Sequence, residues 1–394
     1  MNICIVIHER FGPMKGGVES VCYNLALEFL KMPGYQVFQL YAHDKGTPET
    51  HGVIAERLPS VHDDDAVRKI HEFLEQNKID IIWNHSPNME LMPILKKSVN
   101  GLHTKIVAIY HNSPYARMAE LRDRLSLAFY NWIRHGKLGT CIWTLMKMPL
   151  SWYKAHHTNK KFMKCMATNC DCVCMLSDFY CDEYQNIIND YSYPVRSVTN
   201  PLLKAIIGEK EASQKNQILI VSRHVWKHKR LDRMFRIWKQ VAPLFPEWKL
   251  VVLGDGPDHD AYVELANRLK LIQISFEGMV DATPYYRESK IICMTSSFEG
   301  LPMVLIEAQQ YGCVPIAYES FSALPDIIEN GKTGYRIPPF KQSKFVNQLI
   351  LMMENEDLLS QMSQNCKLHA REFDVCKIIP RWISIFNELL GIKS

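Results

Sequence analysis

The stretch from Ile291 to Tyr318 limits the fold of this chain more than any other. Ile291-Ile292-Cys293-Met294 is a short, fully apolar run, the mark of a strand buried on both faces. Met303 to Tyr311 reads as a helix, with Pro302 suited to its first position and Gly312 ending it. Val314-Pro315-Ile316-Ala317-Tyr318 reads as the next strand. The unit is therefore strand–loop–helix–strand, which predicts a parallel α/β sheet. Its loop, Ser296 to Pro302, falls at a strand's carboxyl end, the edge of an open α/β sheet where ligands bind.

The loop's composition points to a phosphate-bearing ligand. Free N–H groups at the start of the Met303 helix favour an anion, and Gly300 allows close backbone approach. Glu299 and Glu307, with seven residues between them, would repel that anion but can accept hydrogen bonds from hydroxyls. A diphosphate with hydroxyl-bearing groups at both ends satisfies all three features, and a nucleotide-sugar is such a ligand.

The full string Ser-x-Phe-Glu-Gly-Leu-Pro-x-x-x-x-Glu-Ala, over residues 296–308, resembles the signature of family 4 glycosyltransferases. The resemblance implies a GT-B fold: two Rossmann-like, doubly wound α/β domains facing across a cleft. It also implies a retaining, metal-independent enzyme. Glu299 would hold hydroxyls of the transferred sugar and Glu307 the ribose diol. Backbone groups of Gly300, Leu301, Pro302 and Met303 would line the donor site.

A length of 394 residues suggests two domains, and 47% hydrophobic with 22% charged residues fits a globular chain. A formal net charge of +4 is too small to argue for nucleic acid, and no such partner is expected. Met1 leads directly into the strand Ile3-Cys4-Ile5-Val6-Ile7, so no secretory signal is expected. No uncharged apolar run approaches the ~18 residues of a membrane span. Twelve cysteines then suggest reduced thiols and a cytoplasmic setting. Cys165, Cys170, Cys172, Cys174 and Cys181 cluster, but Cys-x-Cys-x-Cys is not zinc-knuckle spacing, and Ala167 to Met175 reads better as a buried strand. No metal site is expected.

The first domain is expected over residues 1–207. Asn2 to His8, Tyr35 to Tyr41, Ile79 to Trp83, Lys105 to Tyr110 and Val195 to Val198 read as further strands. Gly16-Gly17 sits at the first strand-to-helix turn, before the helix Val18 to Leu30, and its N–H groups suit a ligand phosphate. It lacks the Gly-x-Gly-x-x-Gly dinucleotide pattern, so no nicotinamide cofactor is expected. His111 ends the strand before Asn112-Ser113-Pro114, where the resemblance assigns a histidine to the donor sugar. His85, in Trp-Asn-His-Ser-Pro, is a second candidate.

Residues 114–164 are the least regular part. Ten Lys and Arg residues are interleaved with aromatics against two acids, Glu120 and Asp123. That composition suits an anionic membrane surface or an anionic acceptor; a pair of core helices with a solvated basic face is the plainer reading.

The polar run 208–216 reads as a linker, and a second domain is expected over 217–376. Its first strand, Gln217 to Val221, leads to Arg223, and a lysine follows before a helix. An Arg and a Lys here can neutralise a diphosphate and stabilise it as a leaving group. Matching Lys-Arg-Leu-Asp to the family's Lys-Gly-x-Asp selects Lys229, with Lys227 as alternative. Gly254-Asp255-Gly256-Pro257 resembles the turn bordering the base pocket, and Val280 follows a strand whose end would meet the base. Residues 377–394 would form a helix that crosses back onto the first domain, by resemblance.

Glu299, Arg223, Lys229 and His111 are thus the candidate catalytic residues. Gly16, Gly17, Gly254, Gly256, Val280, Gly300, Leu301, Pro302, Met303 and Glu307 are the candidates for donor binding. The expected activity is transfer of a sugar to a glycan or lipid-linked oligosaccharide in bacterial polysaccharide assembly. The expected place is the cytoplasm or the inner face of its membrane. A GT-B nucleotide-sugar epimerase and a non-catalytic nucleotide-sugar binder are the alternatives.

Overall fold

The structure, a computed structural model, describes residues 1–12, 17–47, 50–61, 63, 65–135, 138–202 and 214–392. Side chains at 123, 126, 127, 129–135 and 140 are outside that description. Gly16 and residues 208–213 of the expected linker are also outside it.

The chain forms two compact units. The first comprises Met1–Pro114, Lys154–Leu203 and Val375–Ser394; the second comprises Tyr115–Tyr153 and Lys204–Asp374. Residues Tyr115–Tyr153, which sequence reading placed in the first domain, group with the second unit.

Among the described residues the first unit holds seven parallel strands: β1 (Asn2–Glu9), β2 (Gln36–His43), β3 (Val53–Arg57), β4 (Ile81–Asn84), β5 (Lys105–Tyr110), β6 (Cys172–Met175) and β7 (Val195–Ser197). Their order is β3-β2-β1-β4-β5-β6-β7. Ile3 is flanked by Val37 on one side and Ile81 on the other. Strands buried on both faces must be apolar throughout, and Cys172 to Met175 is buried at every position. Ala167 to Asn169 are not part of that strand; they end the helix Leu138–Asn169.

The helix Val375–Leu390 completes the first unit, beginning two residues before the expected 377, with Pro380 inside it. Trp382 sits 4.7 Å, centroid to centroid, from Trp83, with Phe386 packed beside both. Arg381 donates to the Ser197 carbonyl at 2.8 Å, and Arg196 pairs with Glu388. Burying the two aromatics contributes roughly 1.5–3 kcal/mol each.

Among the described residues the second unit holds six parallel strands: β8 (Lys215–Val221), β9 (Lys249–Leu253), β10 (Ile274–Gly278), β11 (Ser289–Met294), β12 (Val314–Tyr318) and β13 (Tyr335–Ile337). Their order is β10-β9-β8-β11-β12-β13. Lys215 and Asn216, expected in the linker, already belong to β8. Ile291 lies between Ile218 and Val314, and Phe235, Trp238, Trp248 and Phe345 close the core over these strands. In both sheets the strand order reverses beside the first strand, between β1 and β4 and between β8 and β11. That reversal leaves a crevice at the strands' carboxyl ends, where ligands bind in this architecture.

Candidate active site

The switch point of the second unit is formed by the loops after β8 and β11, and these carry the central pair. Lys229 Nζ lies 2.7 Å from Oε1 and 2.9 Å from Oε2 of Glu299. Glu299 is only 6% exposed. Burial alone would raise its carboxyl pKa, but the Lys229 charge and the contacts with His228 and Lys229 outweigh it and bring it to about 2. Glu299 is therefore a carboxylate at neutral pH, held in place by a cation.

His228 ties the two loops together. Its ring stacks on Phe298 with centroids 4.3 Å apart, and its Nε2 lies 2.7 Å from the Phe298 carbonyl. Its own carbonyl accepts from Ser297 N–H at 2.8 Å, and its ring is 3.5 Å from Glu299. No sequence motif singled out His228; only its place between Lys227 and Lys229 could have drawn notice.

The turn beneath this pair is built by Arg230. Arg230 stands where the resembled motif carries glycine, and it adopts φ +51, the left-handed conformation a glycine supplies there. Its guanidinium pairs with Asp232 at 2.8 Å, and Arg236 reaches the same carboxylate. Burial works against the Asp232 charge, and the two arginines hold its pKa below the ordinary carboxylate value. The Thr295 hydroxyl donates to the Arg230 carbonyl, and Arg233 donates to the Thr295 carbonyl and to Ser297 Oγ. Both loops are thus fixed before any ligand arrives.

Of the two candidate lysines, Lys229 is half-buried against Glu299 and Lys227 is exposed. Arg223 is exposed one residue beyond Ser222, at the carboxyl end of β8. The helix Met303–Gln310 starts one residue later than Pro302, which is its cap residue rather than its first helical position. Leu301 and Pro302 are buried, as is Gly300.

Glu307 accepts a hydrogen bond from the Tyr286 hydroxyl at 2.9 Å. Burial raises the Glu307 pKa, and Tyr286 partly offsets the rise. Tyr286 is a second residue that sequence reading missed; its helix, Thr283–Glu288, packs beside that of Glu307, and Tyr286 stacks on Tyr311.

Gly254 and Gly256 have a packing role that needs no ligand. A Cβ on Gly254 would lie 2.0 Å from the Ser222 carbonyl oxygen, and one on Gly256 2.5 Å from that of His224. Val280 is exposed just after β10.

Among the described residues, His224, Asp255 and His259 are the group whose ligand atoms come close enough for an ion. The two Nδ1 atoms are 3.0 Å apart while the ring centroids are 5.1 Å apart and the planes within 6°. The two rings are stacked, and one Nδ1 can donate to the other when their tautomers differ. The Cys172 and Cys174 thiols are 4.0 Å apart and buried, as the strand requires.

In the first unit, Gly17 caps the helix Val18–Leu30 with φ +64, which an L side chain rarely adopts. His85 follows β4 and His111 follows β5, and their rings share a hydrogen bond, Nδ1 to Nε2, of 2.9 Å. Burial pushes the His111 pKa down to about 4, and burial together with the neighbouring His111 lowers that of His85 well below the ordinary value, so both rings are neutral. His85 Nε2 and His111 Nδ1 have no partner among the described residues. The structure thus joins the two histidine candidates in one pair.

Two parallel Rossmann-like sheets, the second with a paired Lys and Glu at its switch point, define the class: this is the GT-B fold. Comparison with known proteins narrows it. Residues 204–369 match the model of the family described as Glycosyl transferases group 1. Over 181 residues the chain is 30% identical to the amylovoran biosynthesis glycosyltransferase AmsD of Erwinia amylovora, covering 45% of this chain and 49% of that protein. Matches to the first curated relatives span about half of their length. The apo lipopolysaccharide outer core galactosyltransferase WaaB superposes with a TM-score of 0.68 at 19% identity, covering 98% of this chain and 100% of that one. Anabaena HepE in complex with UDP-glucose gives 0.74 at 13% identity, covering 98% and 100%.

Proposed function

We propose that this chain is a retaining glycosyltransferase of family 4 type that moves a sugar from a nucleotide-diphosphate sugar to a glycan or lipid-linked acceptor in surface-polysaccharide assembly. The observation that carries the proposal is the buried Lys229–Glu299 pair at the switch point of a domain matching the group 1 glycosyl transferases. The named activities of AmsD and WaaB and the UDP-glucose bound to HepE support the same reading.

Each residue then has a role. Glu299 accepts hydrogen bonds from sugar hydroxyls, and Glu307, with one oxygen held by Tyr286, takes the ribose diol. Lys229, Arg223 and the N–H groups opening the helix Met303–Gln310 stabilise the diphosphate as it leaves. Gly16, Gly17 and His111 serve the donor from the first domain, 1–207, which also binds the acceptor. The bond from the anomeric carbon to the phosphate oxygen breaks, the acceptor oxygen bonds to the same face, and its proton passes to the departing phosphate. Two cations and a helix terminus supply the charge, so transfer proceeds without a divalent metal. The acceptor is met at the inner face of a membrane, to which the protein binds peripherally.

The test is release of nucleoside diphosphate from a panel of UDP-, GDP- and ADP-sugars with lipid-linked oligosaccharide acceptors, with and without EDTA. One donor should turn over equally in both conditions, giving a product of unchanged anomeric configuration by NMR. An inverted product, or turnover abolished by EDTA, overturns the mechanism.

A further inference from the structure

The helix Leu138–Asn169 has an unusual surface. Ile142, Trp143, Met146, Leu150, Trp152 and Tyr153 are all exposed, Met146 by 76%, Tyr153 by 67% and Trp143 by 60%. Cys141, Thr144, Met148 and Ser151 form the buried or half-buried face of the same stretch. At about 100° per residue the six exposed side chains span an arc of roughly 180°, opposite the packed face. An apolar face this broad is not needed for folding, and soluble proteins seldom leave one bare.

The charge on the helix indicates what covers that face. Residues 138–169 contain five lysines and no Asp or Glu. Lys147, Lys154 and Lys161 recur every seven residues and so share one side, at the border of the apolar arc. Lys147 Nζ lies 4.0 Å over the Trp143 ring, so the cation rests on the aromatic face at the edge of the apolar arc. Against a second copy, a two-fold contact through this face would set lysines against lysines. Against spanning, no helix among the described residues is long and apolar enough to cross a membrane.

We propose that residues 138–153 are an interfacial anchor. The apolar arc enters the acyl boundary of an anionic bilayer, and the lysines beside it meet the headgroups. Trp143, Trp152 and Tyr153 suit that boundary because each has an apolar ring and a polar edge. The inference locates the membrane contact of the transferase reading, yet it stands without that reading, because vesicle binding needs neither donor nor acceptor.

The experiment is co-sedimentation of the full chain at low salt with vesicles of phosphatidylcholine containing phosphatidylglycerol, against phosphatidylcholine alone. The wild type should partition onto the anionic vesicles about tenfold more strongly. Met146→Glu with Leu150→Glu, both at exposed positions, should cut that binding by about tenfold or more while the melting temperature and its shift by nucleotides stay unchanged. Lys147→Glu with Lys154→Glu should weaken binding to anionic vesicles only. No binding at low salt, or equal binding by the Met146/Leu150 variant, overturns the proposal. So does a wild-type dimer that the variant dissociates in sedimentation velocity while its vesicle binding is unaffected, which would make a second copy the occupant.

Discussion

Lys229 Nζ bonds both carboxylate oxygens of Glu299 at 2.7 and 2.9 Å, and Glu299 is almost wholly buried. The pair joins the loop after β8 to the loop after β11, so it is structural before any substrate arrives. Breaking it leaves an uncompensated buried charge.

The pair makes stability depend on pH. The Glu299 pKa is lowered from 4.5 to about 2 on folding, so its contribution is present above the unfolded value and is lost as pH falls from about 5 to about 2. The shift corresponds to about 3 kcal/mol. Urea unfolding of the wild type should show that loss on acidification, and Glu299→Gln should remove this part of it. The same substitution should lower kcat/KM by roughly a hundredfold to a thousandfold if Glu299 holds the sugar in the transition state.

His228 should behave as a positioning residue. His228→Ala removes the ring from Phe298 and the contact to its carbonyl, so the Glu299 loop loses its brace. A loss of about 1–2 kcal/mol is expected, with a fall in kcat greater than the rise in donor KM. An unchanged kcat in steady-state assays would show that the brace is dispensable.

Tyr286→Phe leaves Glu307 buried without its hydrogen bond. The carboxyl, already raised by burial, should rise further, and nucleotide affinity should fall about fivefold to tenfold. Nucleotide titration across pH should show the deficit growing as pH falls toward the carboxyl's raised pKa. A variant binding like the wild type at every pH would separate Tyr286 from the ribose role.

Gly254→Ala tests the packing role of that glycine. Its Cβ would lie 2.0 Å from the Ser222 carbonyl at a φ of +107, so the β8 and β9 loops must part. Destabilisation of at least about 3 kcal/mol is expected by denaturant titration, well beyond the ~1 kcal/mol typical of a substitution. Gly391→Ala, also at positive φ but with open space, should cost less.

The double α/β architecture was legible because parallel strands buried on both faces are written as unbroken apolar runs. Val53–Arg57 escaped for the opposite reason: it is an edge strand with three of its five residues exposed. Tyr335–Ile337 is too short to show a pattern. Ala167 to Asn169 close the preceding helix rather than opening the strand, with the Thr168 hydroxyl and Asn169 amide bonded back to the Lys164 and Cys165 carbonyls. At the site, Glu299 and Lys229 could be named because they lie in motifs. Their direct ion pair could not, because it joins residues seventy apart through the fold. His228, Tyr286 and Asp232 act through partners from other elements, and nothing local marks such pairs. The ambiguity between Lys227 and Lys229 came from the turn, where Arg230 adopts a conformation usually left to glycine.

The central claim is that the second unit binds a nucleotide-diphosphate sugar at the Lys229–Glu299 switch point, and a thermal-shift panel of UDP, GDP, ADP and their sugars tests it most directly. A ligand at a hundred times its dissociation constant stabilises a fold by roughly 2.7 kcal/mol. One nucleotide family should raise the melting temperature of the wild type, and Arg223→Ala and Lys229→Ala should lose that rise. No shift with any nucleotide, or a shift that survives both substitutions, would contradict the account.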